Sequence, residues 1–337
     1  MRKRDKSGIA IETYFDTICK EAVPIPPKIL VITGPTASGK TALAVELAKL
    51  RSGEVVSADS MQIYRRMDIG TAKPTLEERQ GVSHHMLDVA DPEEDFSVAR
   101  YVDMASRCVE DILSRGNLPI IAGGTGLYID SLLSGRTFAA YDGDSPLRNK
   151  LEQRYAREGG QALLNELSKA DPESAARLHP NDAKRVIRAL EVWMTTGKTI
   201  TQHNRETQAL PPRYNALTLT LDFERRVDMW ARIDRRVDRM MEDGLVEEVR
   251  ALLDSGLSPR CTAMQAIGYK EMAAALRTGG PLSAAAEEIK LRSRQYAKRQ
   301  RTWFRRNQAA MPLLWGPVPD FANALHRSTV YMENFGI

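Results

Sequence analysis

Lys28-Ile29-Leu30-Val31-Ile32-Thr33 runs straight into Gly34-Pro35-Thr36-Ala37-Ser38-Gly39-Lys40-Thr41, and the helix-forming stretch Thr41 to Lys49 follows at once. The first six residues are a short β-branched run ending at a glycine, which reads as a buried strand. The next eight are a complete GxxxxGK[ST]. Its glycines let successive backbone N–H groups turn inward around phosphate oxygens at a helix N-terminus. In that setting Lys40 neutralises the terminal phosphate and Thr41 can hold Mg2+. Leu43, Leu47 and Leu50 give the following helix its apolar stripe. Strand, phosphate loop and helix in this order define a polyphosphate site without saying that the ligand is ATP.

Working outward, Glu54-Val55-Val56-Ser57 and Leu118-Pro119-Ile120-Ile121-Ala122 read as further strands. Between them Ser97 to Ser114 reads as a helix with Val98, Tyr101, Val102, Val109 and Leu113 on one side. Strands alternating with helices predict an α/β fold, a P-loop NTPase-like parallel sheet flanked by helices. The texture changes at Tyr141-Asp142-Gly143-Asp144. Residues 145–205 show only short helical patterns, broken at Gly159-Gly160, Asp171-Pro172 and His179-Pro180, and predict an all-helical insertion domain. Leu217-Thr218-Leu219-Thr220-Leu221 alternates strictly and returns the chain to the sheet as a half-exposed strand. Two long helices follow, over roughly 223–254 and 284–306. The expected organisation is a loosely held extension (1–27), a core (28–144 and 206–315) interrupted by the insertion (145–205), and a C-terminal tail (316–337).

Composition narrows the class. The chain has 337 residues, 42% hydrophobic and 27% charged, as in soluble globular proteins. Cys19, Cys108 and Cys261 are scattered, which excludes a disulfide scaffold or a CxxC metal site and fits a reducing cytoplasm. No apolar stretch approaches the roughly 20 residues of a membrane span. The basic N-terminus is followed by no apolar segment, so neither a secretory signal nor a membrane location is expected. The net charge of +4 hides an asymmetry. Lys290 to Arg306 holds eight basic residues and no acid, leaving 40 basic against 44 acidic residues elsewhere. Tyr296, Trp303 and Phe304 lie inside that run, and arginines interleaved with aromatics suit loop or single-stranded RNA.

Other signals stay open at this level. NTPases of this fold usually end an apolar strand in Asp for the Mg2+ shell. Here Leu118 to Ala122 ends in Gly123-Gly124-Thr125-Gly126, which tilts against ordinary NTP hydrolysis. Asp222 reads as the N-cap of the next helix. Asp59, just past the second strand, should sit beside the phosphate loop, as a general base, an outer Mg2+ ligand or simply a helix cap. His84-His85 has no acid or Cys at ligand spacing and reads as structural. Arg232 and Arg236 lie one turn apart beside a stripe of Trp230, Ile233, Val237 and Met240, as an anion clamp or a solvated face.

Taken together, these segments resemble the tRNA isopentenyltransferase family. The matches are residues 34–41, Asp59 to Tyr64, Met67-Asp68-Ile69-Gly70-Thr71-Ala72-Lys73-Pro74, Gly123 to Tyr128, His179-Pro180-Asn181-Asp182, Gly268-Tyr269-Lys270-Glu271, Ala297 to Gln300 and Trp303 to Arg305. They span roughly 28–306 in family order, with Ser83 where the family often has Pro. The resemblance implies transfer of a dimethylallyl group from dimethylallyl diphosphate to N6 of the adenosine 3′ of the anticodon, with Mg2+ and in a cytoplasmic monomer. It implies catalytic roles for Lys40, Thr41, Asp59 and Arg236, with Thr41 on the metal. It also implies contact with the tRNA anticodon stem-loop along several segments. These are Asp59, Ser60, Met61 and Gln62; Thr125 and Arg148; and Lys184, Arg185, Val186, Ile187 and Arg188. Gln265, Ala266, Ile267, Gly268, Tyr269 and Lys270 form another, and Lys298, Arg299, Gln300, Arg301, Thr302, Trp303, Phe304 and Arg305 the last. The alternatives are an adenylate isopentenyltransferase acting on free AMP or ADP, a P-loop small-molecule kinase and a non-catalytic RNA-binding protein. None of the three accounts for both the phosphate loop with Asp59 and the basic aromatic run.

Overall fold

The computed structural model describes residues 26–135, 146–208 and 211–337. Most of the expected N-terminal extension and the boundary at Tyr141–Asp144 lie outside the described residues. Six strands, β1 (Lys28–Thr33), β2 (Gly53–Ser57), β3 (His84–His85), β4 (Leu118–Gly123), β5 (Asn215–Phe223) and β6 (Met311–Trp315), form one sheet. Every neighbouring pair is parallel, in the order β3-β2-β4-β1-β5-β6. Parallel pairing demands crossovers, and the helices α1 (Lys40–Leu50), α2 (Leu76–Arg79), α3 (Val98–Ser114) and α4 (Gly126–Leu133) lie in those of the first half.

The phosphate-loop strand β1 is central and covered on both faces. Ile29 and Val31 pack with Tyr101, Val109 and Ile112 of α3, whereas Leu30 and Ile32 pack with Leu43 and Leu47 of α1. A strand buried twice over is apolar at consecutive positions, which is why the run does not alternate. Leu50, expected in the α1 stripe, is exposed, and Ala44 and Ala48 complete that face. β5 departs from its half-exposed expectation. Leu217, Leu219 and Leu221 are buried on one face, and Thr218 and Asp222 on the other are buried too. Alternation here therefore marks two differently covered faces, an apolar one and one that carries the Asp222–Arg301 ion pair, rather than one cover and water.

The insertion comprises α5 (Pro146–Glu158), α6 (Gly160–Ala170), α7 (Pro172–Arg177), α8 (Ala183–Thr196) and α9 (Ile200–Gln208). These helices bury their own cluster of Leu151, Leu163, Leu167, Val186, Ile187 and Leu190. Asp182 caps α8 by accepting from Arg185 N–H at 3.4 Å, and Gly197 ends it at φ 71°.

Beyond β5, the single helix expected over 223–254 is two: α10 (Arg226–Glu242) and α11 (Leu245–Asp254). Gly244, at φ 102°, makes the break. The buried stripe of α10 is Met229, Ile233 and Val237, while Trp230, expected within it, is exposed. Then come α12 (Tyr269–Thr278) and α13 (Leu282–Phe304). With Ile63, Tyr64 and Met67 these helices form a second apolar cluster. The C-terminal segment is more than a tail. Helix α14 (Phe321–Phe335) buries Ala324 and Met332 against the sheet, and Lys28 Nζ donates to Phe335 O at 2.7 Å.

Candidate active site

The phosphate loop curls from the end of β1 into α1 and is held by side chains from distant elements. Thr36 N–H donates to Gln300 Oε1 at 2.9 Å, Arg232 Nε donates to Ala37 O at 2.9 Å, and the Trp315 indole donates to Ser38 O at 2.8 Å. Gly39 occupies the left-handed region at φ 87° and starts α1. Lys40 Nζ folds back onto Pro35 O at 2.8 Å. Burial pushes the Lys40 ammonium down to about 7, Arg236 adds to that, and Asp59 pulls the other way. A lysine so poorly solvated gains from any anion that enters.

Such an anion has a place to go. A cavity of about 880 Å³ opens over the loop, lined by Ser38 to Ala42 and by Arg232, Arg235, Arg236 and Arg239 of α10. Those four arginines share one face of α10 at spacings of three and four. Arg232 and Arg236 were expected there; Arg235 and Arg239 were legible from the same spacing and were missed. Arg236 NH1 also reaches Thr36 Oγ1 at 3.4 Å. Arg232 and Arg236 thus face a cavity rather than open solvent.

A second cavity of about 320 Å³ adjoins the first, and both are lined by Arg236 and Met240. It is lined by the polar Asp59, Ser60, Thr71, Tyr296 and Arg299 and by the apolar Met61, Ile233, Val237, Ala266, Ile267 and Ile289. Asp59 Oδ1 accepts from Met61 N–H at 2.9 Å and Gln62 N–H at 3.3 Å, so it caps its own turn while lining the cavity. Burial, then Asp59, pushes the Tyr296 phenol up to about 12, keeping it a neutral donor. Thr125 Oγ1 accepts from Ser60 N–H at 3.0 Å and holds the turn that carries Asp59. The run from Gly123 to Gly126 is glycine-rich because other groups fill the space. A Cβ on Gly124 would strike the Gln300 amide, and one on Gly126 the Trp303 indole.

Several residues expected on RNA are committed elsewhere. Gln300 is buried between Thr36 N–H and Gly124 O, to which its amide donates at 2.9 Å. Phe304 is buried in the core below the sheet. Asp222, expected to cap a helix, stays inside β5 and forms ion pairs with Arg301 at 2.6 Å and Arg305 at 3.3 Å. Arg301 is therefore a half-buried partner, and Arg305 keeps most of its side chain exposed. Trp303 donates to Asp130 Oδ2 at 2.9 Å. The Gln62 amide donates to Thr71 O and Ala72 O, which ties up that side chain. Gly268 and Tyr269 are buried at the start of α12, and Val186 and Ile187 are core residues of the insertion. Arg148 and Arg188 both pair with the buried Glu191, at 3.5 and 2.8 Å. Lys184, Arg185, Gln265, Lys270, Lys298, Arg299 and Thr302 are exposed.

No three His, Cys, Asp or Glu among the described residues are grouped to hold a metal. Mg2+ needs no such cage, because substrate phosphates and water supply most of its oxygens. Thr41 fits that requirement with one hydroxyl on the wall of the cationic cavity. The paired histidines each turn one ring nitrogen to a protein partner: His85 Nε2 lies 2.7 Å from Glu54 Oε2, and His84 Nδ1 2.9 Å from Val82 O. Hydrogen bonds from Arg115 hold the Glu54 carboxyl down at about 2 against the effect of burial. Among the described residues no helix is long and apolar enough to cross a membrane.

Comparison with known proteins places this architecture. The family model described as IPP transferase matches residues 62–307. A tRNA dimethylallyltransferase of Acetivibrio thermocellus is 49% identical over 309 residues, covering 92% of this chain and 98% of that protein. The full-length tRNA isopentenylpyrophosphate transferase of Bacillus halodurans, solved by crystallography, superposes with a TM-score of 0.68 at 43% identity, covering 91% of this chain and 96% of that one. A eukaryotic dimethylallyltransferase acting on tRNA superposes at 0.77 with 30% identity, covering 91% and 80%. With its phosphate loop, its arginine-lined cavity and these relatives, the chain belongs to the IPP transferase family.

Proposed function

We propose that this protein transfers a dimethylallyl group from dimethylallyl diphosphate to N6 of the adenosine at tRNA position 37, next to the anticodon. The products are N6-(dimethylallyl)adenosine and diphosphate. One observation carries the reading: a cationic cavity over the phosphate loop joins a smaller cavity containing Asp59, with Arg236 and Met240 common to both. The first suits the diphosphate and the second a base taken out of the anticodon stack.

In the transfer, the adenine N6 lone pair forms a bond to C1 of the allyl group while the C1–O bond breaks and its electrons pass to diphosphate oxygen. Lys40, Arg236 and the other α10 arginines stabilise that developing charge. Mg2+ on Thr41 and the phosphates would supply further charge neutralisation. The N6 lone pair is delocalised into the ring, so the amine becomes a nucleophile only as its proton leaves. Asp59 accepts that proton. The Asp59 carboxylate partly offsets the burial and the Arg236 charge that disfavour the Lys40 ammonium.

Lys298 and Arg299 on α13 and Lys184 and Arg185 on the insertion are the tRNA-gripping side chains in this reading. The insertion closes over the anticodon stem-loop. The scattered cysteines support a cytoplasmic location.

The test is incubation with dimethylallyl diphosphate and unmodified tRNA, followed by nucleoside mass spectrometry, with AMP as a parallel acceptor. Prenylated adenosine from tRNA alone is the expected result. Product from AMP and none from tRNA would replace this reading with a free-nucleotide transferase.

A further inference from the structure

Two of the sequence segments have no task in the reaction as described: the loop Met67–Pro74 and the start of α12 at Gly268–Glu271. Tyr269 cannot touch a substrate, because it is fully buried. The two segments meet at Glu248 of α11, a residue in neither. Asp68 N–H and Ile69 N–H each donate to Glu248 Oε2 at 2.8 Å, and Gly70 N–H donates to Oε1 at 3.1 Å. The Tyr269 hydroxyl donates to the same carboxylate. Three successive N–H groups converging on one anion form a nest. Here the anion is the protein's own.

The fit is close. A Cβ on Gly70 would come within 2.5 Å of the Tyr269 ring, so only glycine lets the loop lie against it. From its other side the loop is held by Gln62, whose amide donates to Thr71 O at 3.3 Å and Ala72 O at 3.1 Å. Lys73, itself buried, donates to Asp68 Oδ1 at 2.5 Å, Asp88 Oδ1 at 2.6 Å and Tyr64 O at 2.8 Å.

What this loop separates gives the arrangement its meaning. Asp68, Ile69, Ala72 and Lys73 line the cationic cavity, whereas Gly70 and Thr71 line the cavity of Asp59. The loop therefore faces both cavities, across from Arg236 and Met240 of α10. We propose that Glu248 is a positioning residue that fixes residues 68–70 and so sets the gap over which the allyl carbon passes from diphosphate to acceptor. The proposal rests on the transferase reading above. Reacting atoms must approach to about 3–3.5 Å, and a displacement of about 1 Å can cost about 10²-fold in rate. Gln62 and Lys73 remain when Glu248 is removed, so the loop shifts rather than unfolds.

The experiment uses full-length Glu248→Ala, Glu248→Gln and Tyr269→Phe. Read are the single-turnover transfer rate with both substrates saturating, tRNA affinity, melting temperature and amide hydrogen exchange at residues 68–70. Glu248→Ala should lower the single-turnover rate about 10²-fold, with tRNA affinity unchanged. Glu248→Gln, which keeps an acceptor oxygen, should recover most of that loss, and Tyr269→Phe should lie nearer wild type. Exchange at 68–70 should rise in the same order. If Glu248→Ala does not fold, Glu248→Gln is read against wild type by the same measurements. A variant that melts earlier yet transfers at the wild-type rate under saturation would overturn the proposal, as would unchanged exchange at 68–70. A wild type that prenylates nothing would sink the transferase reading instead, and the exchange data would still decide whether Glu248 holds the loop.

Discussion

Helices α10 and α13 both carry dense positive charge in sequence, yet only α10 delivers it to a cavity as a block. On α10, Arg232, Arg235, Arg236 and Arg239 line the cationic cavity. The acids Asp234 and Asp238 of the same helix point elsewhere: Asp234 pairs with Arg294 at 2.8 Å and Asp238 with Lys290 at 2.6 Å, both on α13. One helix has sorted its signs onto two faces, and its acids neutralise its neighbour. On α13, Arg292 pairs with Glu288, and Arg301 and Arg305 share Asp222. Among the described residues, the ion pairs of the basic run leave out Lys298, Arg299 and Arg306, of which Arg306 lies over the Trp303 ring at 3.9 Å. A block of like charge along a chain is thus no measure of the charge available in space.

That contrast is broken most readily between the two helices. Asp59→Ala should lower turnover about 10²–10⁴-fold, the usual worth of a general base, with pyrophosphate affinity nearly intact. Lost pyrophosphate binding with normal turnover at saturation would make Asp59 a ligand holder instead.

Next come one arginine from each helix. Arg236→Ala should cost about 10²–10³-fold in kcat at little cost in melting temperature, since it removes a donor to developing charge. Arg301→Ala should do the reverse. It leaves buried Asp222 with only the longer contact to the mostly exposed Arg305, so the melting temperature falls while the KM for dimethylallyl diphosphate hardly moves. Thermal melts beside steady-state kinetics separate the two; similar profiles for both variants would erase the distinction between the helices.

A smaller effect is pH-dependent. The folded Lys40 value, about 7, lies below the unfolded one, so the unfolded chain binds the extra proton between about pH 7 and 10.5. Lys40 therefore contributes a stability that rises with pH across that window. Diphosphate binding restores the ammonium, so above pH 7 it takes up a proton, and pyrophosphate affinity should fall up to about tenfold per pH unit. Calorimetry in buffers of different ionisation heat measures the uptake, and affinity flat from pH 7 to 9 would count against it.

The smallest effect tests what charge α13 retains. Arg299→Ala should shallow the log–log salt dependence of tRNA binding by about 0.7–0.9, as expected for one lost phosphate contact. Arg301→Ala should leave the slope alone, and a change there would return Arg301 to the RNA surface.

The parts of this fold visible in sequence were those set by neighbours along the chain. β1, the phosphate loop and α1 follow from one continuous stretch, and the cap and stop of α8 follow from Asp182 and Gly197. The break before α11 was also there to read, in Glu242-Asp243-Gly244, but the apolar spacing on either side masked it. What escaped depends on distant partners. Asp222 looks like a cap until Arg301, almost eighty residues later, comes to rest beside it. Gln300 sits among Lys298, Arg299 and Arg301, and only the fold turns it inward to the phosphate loop. Glu248 is one acid on an amphipathic helix, and nothing local distinguishes it from the exposed Glu247.

The brace on the phosphate loop carries a consequence for biosynthesis. The loop is made within the first forty-one residues, but two of its supports, Gln300 and Trp315, come near the other end. Translation therefore delivers the ligand-binding segment long before the groups that shape it. A nascent chain that has not yet reached Gln300 exposes a loop whose Thr36 N–H and Ser38 O lack those two partners. Closure over so long a sequence separation is slow compared with local helix formation. Premature termination upstream of residue 315 therefore leaves the phosphate loop without at least one of its braces, the Trp315 indole.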